Sequence, residues 1–135
     1  MSAAPVLVIG LGCQRGCPAS TLRALLEQTL LAHGIELHQV RALASIDLKR
    51  DEPGLLELAA QLGLPLTCFS AEQLAEYEPR LSHRSEIAFE RTGCYGIAES
   101  AALALADQLG TTTPSTLQIP RQKGPQCTLA LAVVG

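Results

Sequence analysis

The stretch that most constrains this chain covers residues 6–18 and reads V-L-V-I-G-L-G-C-Q-R-G-C-P. A short apolar run passes into a segment with three glycines, and a long segment with leucines at helical spacing follows at once. This order is typical of a buried strand, a tight loop and the amino end of a helix. We predict a strand over 5–9 and a loop over 10–17. Such a loop directs N–H groups and the positive end of a helix dipole towards one point, which predicts an anion-binding site.

Strand and helix patterns alternate along the rest of the chain, and two strand patterns close it around Lys123-Gly124-Pro125, a turn signal. Ser70, followed three residues later by Gln73, predicts a capping box at a helix start. The sequence therefore predicts the α/β class: a single domain over 1–135, with a mixed sheet, helices on both faces and a C-terminal β-hairpin. The further predicted strands cover 39–46, 64–69, 116–121 and 126–134, and the helices cover 18–33, 53–62, 70–77, 85–91 and 97–109.

The amino-acid composition argues against several classes of protein. A hydrophobic fraction of 47% argues against disorder, and a net charge of -3 with few aromatic residues argues against nucleic acid as a partner. No apolar run is long enough for a membrane span or a signal peptide, so we expect a cytoplasmic protein with no membrane partner. Five cysteines, an odd number, predict free thiols, and the scattered histidines give no reason to expect a metal or a cofactor.

The glycine-bearing segment can be interpreted in three ways. It resembles a dinucleotide-binding fingerprint, but its spacing is off by one residue and the expected acidic residue is poorly placed. The glycines could also serve only a tight turn. An anion site explains in addition why a cation, Arg15, stands in the middle of the segment. The residues that we place at this site are Gly10, Gly12, Cys13, Arg15 and Gly16.

Cys13 and Cys17 are four residues apart beside the predicted helix start. That position can lower the pKa of a thiol and produce a nucleophile or a redox pair. The spacing is not Cys-x-x-Cys, and small buried or half-buried thiols are the interpretation that we favour.

A second group of candidates, Ser45, Asp47 and Lys49, follows the second predicted strand. The carboxyl ends of parallel strands face the ligand crevice of an open α/β sheet. Asp47 could therefore orient a donor or act as a base, and Lys49 could pair with an anion. A solvated loop with local ion pairs is the alternative.

The remaining candidates lie in the second half of the chain. Gly93 and Gly96 flank a second loop, and Glu99 stands in the first turn of the next helix, where the helix dipole alone would favour an acidic residue. Arg121 and Lys123 add positive charge at the hairpin, although basic residues also protect edge strands from aggregation.

Four signatures together, in order, resemble the CobE/CbiG C-terminal domain family of cobalamin biosynthesis. Gly-x-Gly-Cys-x-Arg-Gly at 10–16 is similar to its first signature, and the segment 45–55 to its second. Phe-Ser-Ala at 69–71 matches its strand-to-helix junction, the segment 92–101 resembles its third signature, and the basic strand at 121–123 its last. The resemblance covers nearly the whole chain.

This resemblance implies a tetrapyrrole of the precorrin type as the partner, together with neighbouring enzymes of the corrin pathway. CbiG-type proteins open the lactone ring of a cobalt-precorrin and release acetaldehyde, whereas CobE proteins are a stand-alone form associated with the aerobic route. The chain matches only the C-terminal domain of CbiG. The resemblance therefore implies a carrier or accessory that binds a precorrin.

Two alternatives stay open. The protein could be an enzyme that acts on the macrocycle, with Asp47 or Glu99 as the acid–base residue and Lys49 or Arg15 as the charge stabiliser. It could also be a small domain that binds nucleotide or phosphate at the glycine loop. For a precorrin, the acetate and propionate arms would be bound by Arg15, Lys49, Arg121 and Lys123.

Overall fold

A computed structural model describes residues 5–82, 84, 86, 90, 96–110 and 114–135. The strands are β1 (Val6–Cys13), β2 (Val40–Ile46), β3 (Leu66–Phe69), β4 (Thr116–Gly124) and β5 (Cys127–Val134). They form one sheet in the order β3-β2-β1-β5-β4. β1, β2 and β3 are parallel, whereas β5 runs antiparallel to both of its neighbours, β1 and β4.

The helices of the described residues are α1 (Ala19–Ala32), α2 (Pro53–Leu62), α3 (Ala71–Ala75) and α4 (Ile97–Leu109), with short 3-10 turns at Leu37–Gln39, Asp47–Lys49 and Glu78–Arg80. α1 and α2 pack on one face of the sheet, and α3 and α4 pack on the other. Each parallel connection passes over a helix because parallel strands need a crossover. The predicted class is confirmed: a mixed sheet with helices on both faces and a C-terminal hairpin.

β1 is the central strand, and both of its faces are covered. Ile9 and Leu11 pack with α1 and α2, and Val8 packs with α4 on the opposite face; all three are fully buried. Burial on both sides explains the unbroken apolar run from which the strand was predicted.

Several helix ends confirm the signals in the sequence. Pro53 opens α2, and Gly63 closes it in the left-handed region at φ 67°. The N–H of Gln73 donates to the hydroxyl of Ser70 at 3.1 Å, and the N–H of Ser70 donates to the side chain of Gln73 at 2.8 Å. The predicted capping box before α3 is therefore present.

Several predicted boundaries are wrong; β3, for example, begins at Leu66 and not at residue 64. β1 runs four residues further than predicted, to Cys13, and α3 ends at Ala75 and not at about residue 77. The hairpin turn lies at 125–126, where Gln126 has a φ of 64°, so Lys123 belongs to β4 and not to the turn. The predicted helix at 85–91 falls mostly outside the described residues.

Candidate functional site

The three parallel strands end together at one edge of the sheet, which we call the carboxyl edge. Their last residues are Cys13, Ile46 and Phe69. α4 begins at the same edge, because the Cβ position of Gly12 lies 3.5 Å from the Cβ of Ile97. The β4–β5 turn reaches it as well, since the N–H of Gln14 donates to the carbonyl of Gln126 at 2.8 Å. Ligands of open α/β sheets bind at such an edge.

Gly10 and Gly12 lie inside β1 and not in a loop, so the predicted loop over 10–17 is wrong for its first four residues. A Cβ on Gly10 would stand 1.9 Å from the carbonyl oxygen of Ala98 and 2.7 Å from the nitrogen of Ala102. A Cβ on Gly12 would stand 2.8 Å from the hydroxyl of Thr128. The absence of a side chain at Gly10 allows α4 to cross β1 in direct contact, a packing role that glycine commonly has within a strand.

The loop that does connect β1 to α1 covers 14–18, and one of its N–H groups already faces a carboxylate. Gly16 has a φ of 82°, and its N–H donates to Glu52, whose two oxygens lie 3.4 and 3.3 Å away. Arg15, beside it, is exposed. The anion nearest to this turn is therefore the chain's own Glu52, which an incoming anion has to displace or join.

The candidates after β2 separate into buried and accessible groups. Ser45 is fully buried, and its hydroxyl donates to the carbonyl of Leu11 at 2.7 Å, which ties β2 to β1. Asp47 and Lys49, at the two ends of the following 3-10 turn, are half-buried. Between them the side chain of Leu48 is 66% exposed. This turn thus presents a carboxylate, an apolar side chain and an ammonium group at the carboxyl edge.

Three thiols collect near the end of β1. Cys13 and Cys127 stand directly opposite each other in the β1–β5 pairing, and the thiol of Cys127 hydrogen-bonds to Cys17. Burial raises the pKa of Cys13 to about 11, although the positive charge of Lys49 opposes the shift. Burial also raises the pKa of Cys127 to about 12 and that of Cys17 above its usual value. These thiols are protonated at neutral pH, as expected of packed thiols and not of nucleophiles.

We therefore expect Cys13 to react slowly with iodoacetamide in the native protein at neutral pH. Only the thiolate reacts, so the rate should rise about tenfold per pH unit and level off only near the raised pKa. Mass spectrometry of tryptic peptides after timed alkylation measures this rate, with the denatured protein as the reference. Rapid labelling of native Cys13 at pH 7 would contradict the raised pKa.

Glu99 is 1% exposed in the first turn of α4. The N–H of Ser82 donates to its Oε1 at 2.8 Å, and both the Ser82 hydroxyl and the N–H of Arg121 donate to its Oε2, the latter at 2.9 Å. A buried carboxylate requires such donors. Both oxygens are engaged, which suits a positioning carboxylate better than an acid or base that faces a ligand. Gly96, just before α4, is buried, and Gly93 lies outside the described residues.

β4 bulges beside Glu99. Its pairing with β5 shifts between Ile119 and Gln122, because Pro120 and Arg121 stand where β5 has a single residue. Arg121 is partly buried, and its fully buried Nε forms no hydrogen bond with any described residue. Lys123, two residues further along β4, is exposed.

The predicted site residues form two groups at this edge. Cys13 packs with the α1 and α2 side of the core and is within electrostatic range of Lys49. Glu99 and Arg121 belong to the side of the sheet that α4 covers. None of these contacts joins one group to the other, so a ligand that binds both must be large enough to reach across the carboxyl edge.

Sequence reasoning missed three contributors to the site: Glu52, Leu48 and Ser82. A proline within a strand pattern, Pro120, was a usable signal for the bulge, because proline in sheets is confined to edges and bulges. Ser82 had no signal of its own, since its contact with Glu99 spans 17 residues of sequence.

Other features of the described residues do not offer a competing site. A groove of about 300 Å³ opens between α1 and the β4–β5 turn, but its lining contains no charged side chain. Within the described ranges, no cluster of three or more His, Cys, Asp or Glu residues is arranged to hold a metal ion. None of the helices in those ranges combines the length and hydrophobicity that crossing a membrane requires.

Comparisons with known proteins agree with this architecture. The family model described as "Cobalamin synthesis G C-terminus" matches residues 7–132. Protein CobE of Sinorhizobium sp is 36% identical over 126 residues, which cover 93% of this chain and 79% of that protein. A crystal structure of CobE, a protein from the cobalamin (vitamin B12) biosynthetic pathway, superimposes with a TM-score of 0.93 at 45% identity and covers 100% of this chain and 94% of that one.

A longer relative matches over one part of its length. The cobalt-precorrin-5A hydrolase of Priestia megaterium is 33% identical over 129 residues, which are 96% of this chain but only 32% of the hydrolase. Since the family model and both CobE comparisons cover nearly all of it, the chain belongs to the CobE/CbiG C-terminal domain family and has a role in cobalamin biosynthesis.

Proposed function

We propose that this protein binds a precorrin-type tetrapyrrole at the carboxyl edge and serves as a carrier or accessory to neighbouring enzymes of the corrin pathway. One observation carries the proposal: basic side chains of a chain with a net charge of -3 gather at or next to this edge. They are Arg15, Lys49, Arg121 and Lys123, and the carboxylates of Asp47 and Glu52 stand beside the first two.

The chemistry of this edge matches the two parts of such a ligand. Precorrins carry several acetate and propionate arms around an apolar macrocycle. An arginine side chain can hold a carboxylate through two parallel hydrogen bonds, and a lysine side chain attracts it as a point charge. Leu48, 66% exposed between Asp47 and Lys49, offers an apolar contact to the face of the ring. Because the basic groups stand on both sides of the edge, a broad ligand suits them better than a small anion.

A hydrolase acting on the macrocycle is the second candidate, favoured by the identity with cobalt-precorrin-5A hydrolase. Asp47 is the better acid–base candidate of the two predicted, because Glu99 is buried with both oxygens engaged. The chain spans 32% of that hydrolase, so this activity requires that the catalytic residues of the hydrolase lie within the part that the two proteins share. A mass change in a cobalt-precorrin incubated with the protein, lost in Asp47→Asn, would support it.

A nucleotide or phosphate site at the glycine segment is less well supported. Gly10 and Gly12 lie inside β1, whose backbone pairs with β2 and β5, and the N–H of Gly16 faces Glu52. Those N–H groups are therefore not free to surround a phosphate, as they are in phosphate-binding loops.

Titration of the protein with cobyrinic acid, a corrinoid with carboxylate arms, tests the proposed function. We expect a saturable change in the absorbance of the corrin and a matching rise in the melting temperature, because a ligand that binds only the folded state stabilises it. ATP and inorganic phosphate, added in the same way, should leave the melting temperature unchanged. The absence of saturable binding to cobyrinic acid up to high micromolar concentrations would contradict the proposal.

A further inference from the structure

Among the arginines that the structure describes, Arg121 is distinguished by a buried side-chain nitrogen that forms no hydrogen bond. Arg23 pairs with Glu27 at 3.0 Å, and Arg80 pairs with Asp107 at 2.8 Å. Arg121 is partly buried, yet no ion pair holds it among the described residues and its Nε is buried without a hydrogen bond. A buried donor without a hydrogen bond destabilises a fold, so its presence calls for an explanation.

The backbone around Arg121 is held firmly although its side chain is not paired. Pro120 has no N–H to give to the sheet, and the pairing with β5 is interrupted at this point. The N–H of Arg121 leaves the ladder and donates to Oε2 of Glu99 at 2.9 Å. Bulges beside functional sites commonly redirect a side chain in this way.

Glu99 is fixed in turn by a second segment. The N–H and the hydroxyl of Ser82 both donate to its carboxylate, and the neighbouring Arg80 is anchored by Asp107 near the end of α4. The carboxylate therefore joins the first turn of α4, the segment at Ser82 and the bulge of β4. These hydrogen bonds fix the backbone position of Arg121, from which its side chain extends.

We propose that Arg121 is the principal anchor for a carboxylate arm of the ligand, and that Glu99 is a positioning residue that presents Arg121 through the β4 bulge. This inference rests on the proposed function and deepens it. Arg121 is partly buried and so keeps part of its surface accessible, and a guanidinium can hold a carboxylate through two parallel hydrogen bonds. Glu99 would thus contribute to binding without touching the ligand.

Binding of cobyrinic acid to single variants tests the assignment. Arg121→Gln should weaken binding about tenfold or more, because it removes charge-assisted hydrogen bonds to a carboxylate. Arg41→Gln is the matched control: Arg41 is exposed near the opposite end of the sheet, at the start of β2, and its loss should change Kd less than about twofold. Equal binding by wild type and Arg121→Gln would overturn the inference, whereas no binding by the wild type would overturn the proposed function itself.

The positioning role of Glu99 has its own readout. Glu99→Gln should weaken binding when Arg121 is present and have little further effect in Arg121→Gln, which is the non-additivity expected of coupled residues. A merely structural Glu99 would lower the melting temperature and weaken binding equally in both backgrounds, and would refute the positioning role. Should Glu99→Gln fail to fold, NMR of the wild type still decides the assignment of Arg121: its Nε–H signal should shift on addition of cobyrinic acid, and an unchanged signal would overturn that assignment.

Discussion

Gly10→Ala should lower the free energy of unfolding by about 3 kcal/mol or more, or prevent folding altogether. The added Cβ would stand 1.9 Å from the carbonyl oxygen of Ala98 and 2.7 Å from the nitrogen of Ala102. Both atoms belong to the backbone of α4, so no flexible side chain can move aside. Residues 98–106 of that helix are all buried, and lifting the helix would therefore open the whole α4 side of the core. Urea unfolding followed by circular dichroism measures the effect.

Gly63→Ala provides the matched control for this experiment. Gly63 has a φ of 67° and no atom within 4 Å of its Cβ position, so alanine there meets only the backbone penalty of the left-handed region, about 1–2 kcal/mol. The difference between the two variants isolates the clash with α4. If Gly10→Ala proved no more destabilising than Gly63→Ala, the close approach of α4 to β1 would be wrong.

The features that the sequence predicted well are those decided locally. Pro53 and Gly63 bound α2, the Ser70–Gln73 capping box opens α3, and α4 covers Ile97–Leu109 as predicted. The signals at Pro53, Gly63 and Ser70 act within a few residues, through a fixed dihedral angle or a hydrogen bond to a nearby backbone group, and α4 follows from a run rich in alanine, a strong helix former.

The features that could not be predicted from the sequence depend on contacts between residues that are far apart along the chain. A glycine can serve a flexible loop or can leave room for a helix to pack closely against a strand, and the sequence alone does not distinguish these two roles. At Gly10 only the position of α4 shows that the second role applies. Glu99 likewise fits a helix-dipole role locally, whereas its donors come from Ser82, 17 residues away, and Arg121, 22 residues away. That Arg15 and Lys49 lie at the same edge was predictable, because parallel strands place their carboxyl ends together. The buried Nε of Arg121, which forms no hydrogen bond with any described residue, was not predictable.

Discrimination between carboxylate and amide arms should be the largest effect on binding. Cobyrinic acid and cobinamide share the corrin ring, and in their dicyano forms they share the cobalt environment, but the arms of cobinamide are neutral amides. Removing the charge from the ligand weakens its hydrogen bonds with Arg121, Lys49 or the other basic side chains, and hydrogen bonds to charged groups contribute about 1.5–3 kcal/mol each. If two such hydrogen bonds no longer form, we expect cobinamide to bind at least about 100-fold more weakly.

Ionic strength provides an independent check on the same claim. Added salt screens the attraction between exposed charges, so the Kd for cobyrinic acid should rise with salt, whereas the Kd for cobinamide should stay nearly constant. Arg121→Gln should reduce both the preference for cobyrinic acid and its salt dependence, while Arg41→Gln should alter neither. Equal affinity for the two corrinoids, with no response to salt, would mean that the ring alone is recognised, through apolar contacts such as that offered by Leu48. The basic residues of the carboxyl edge would then have no part in holding the ligand.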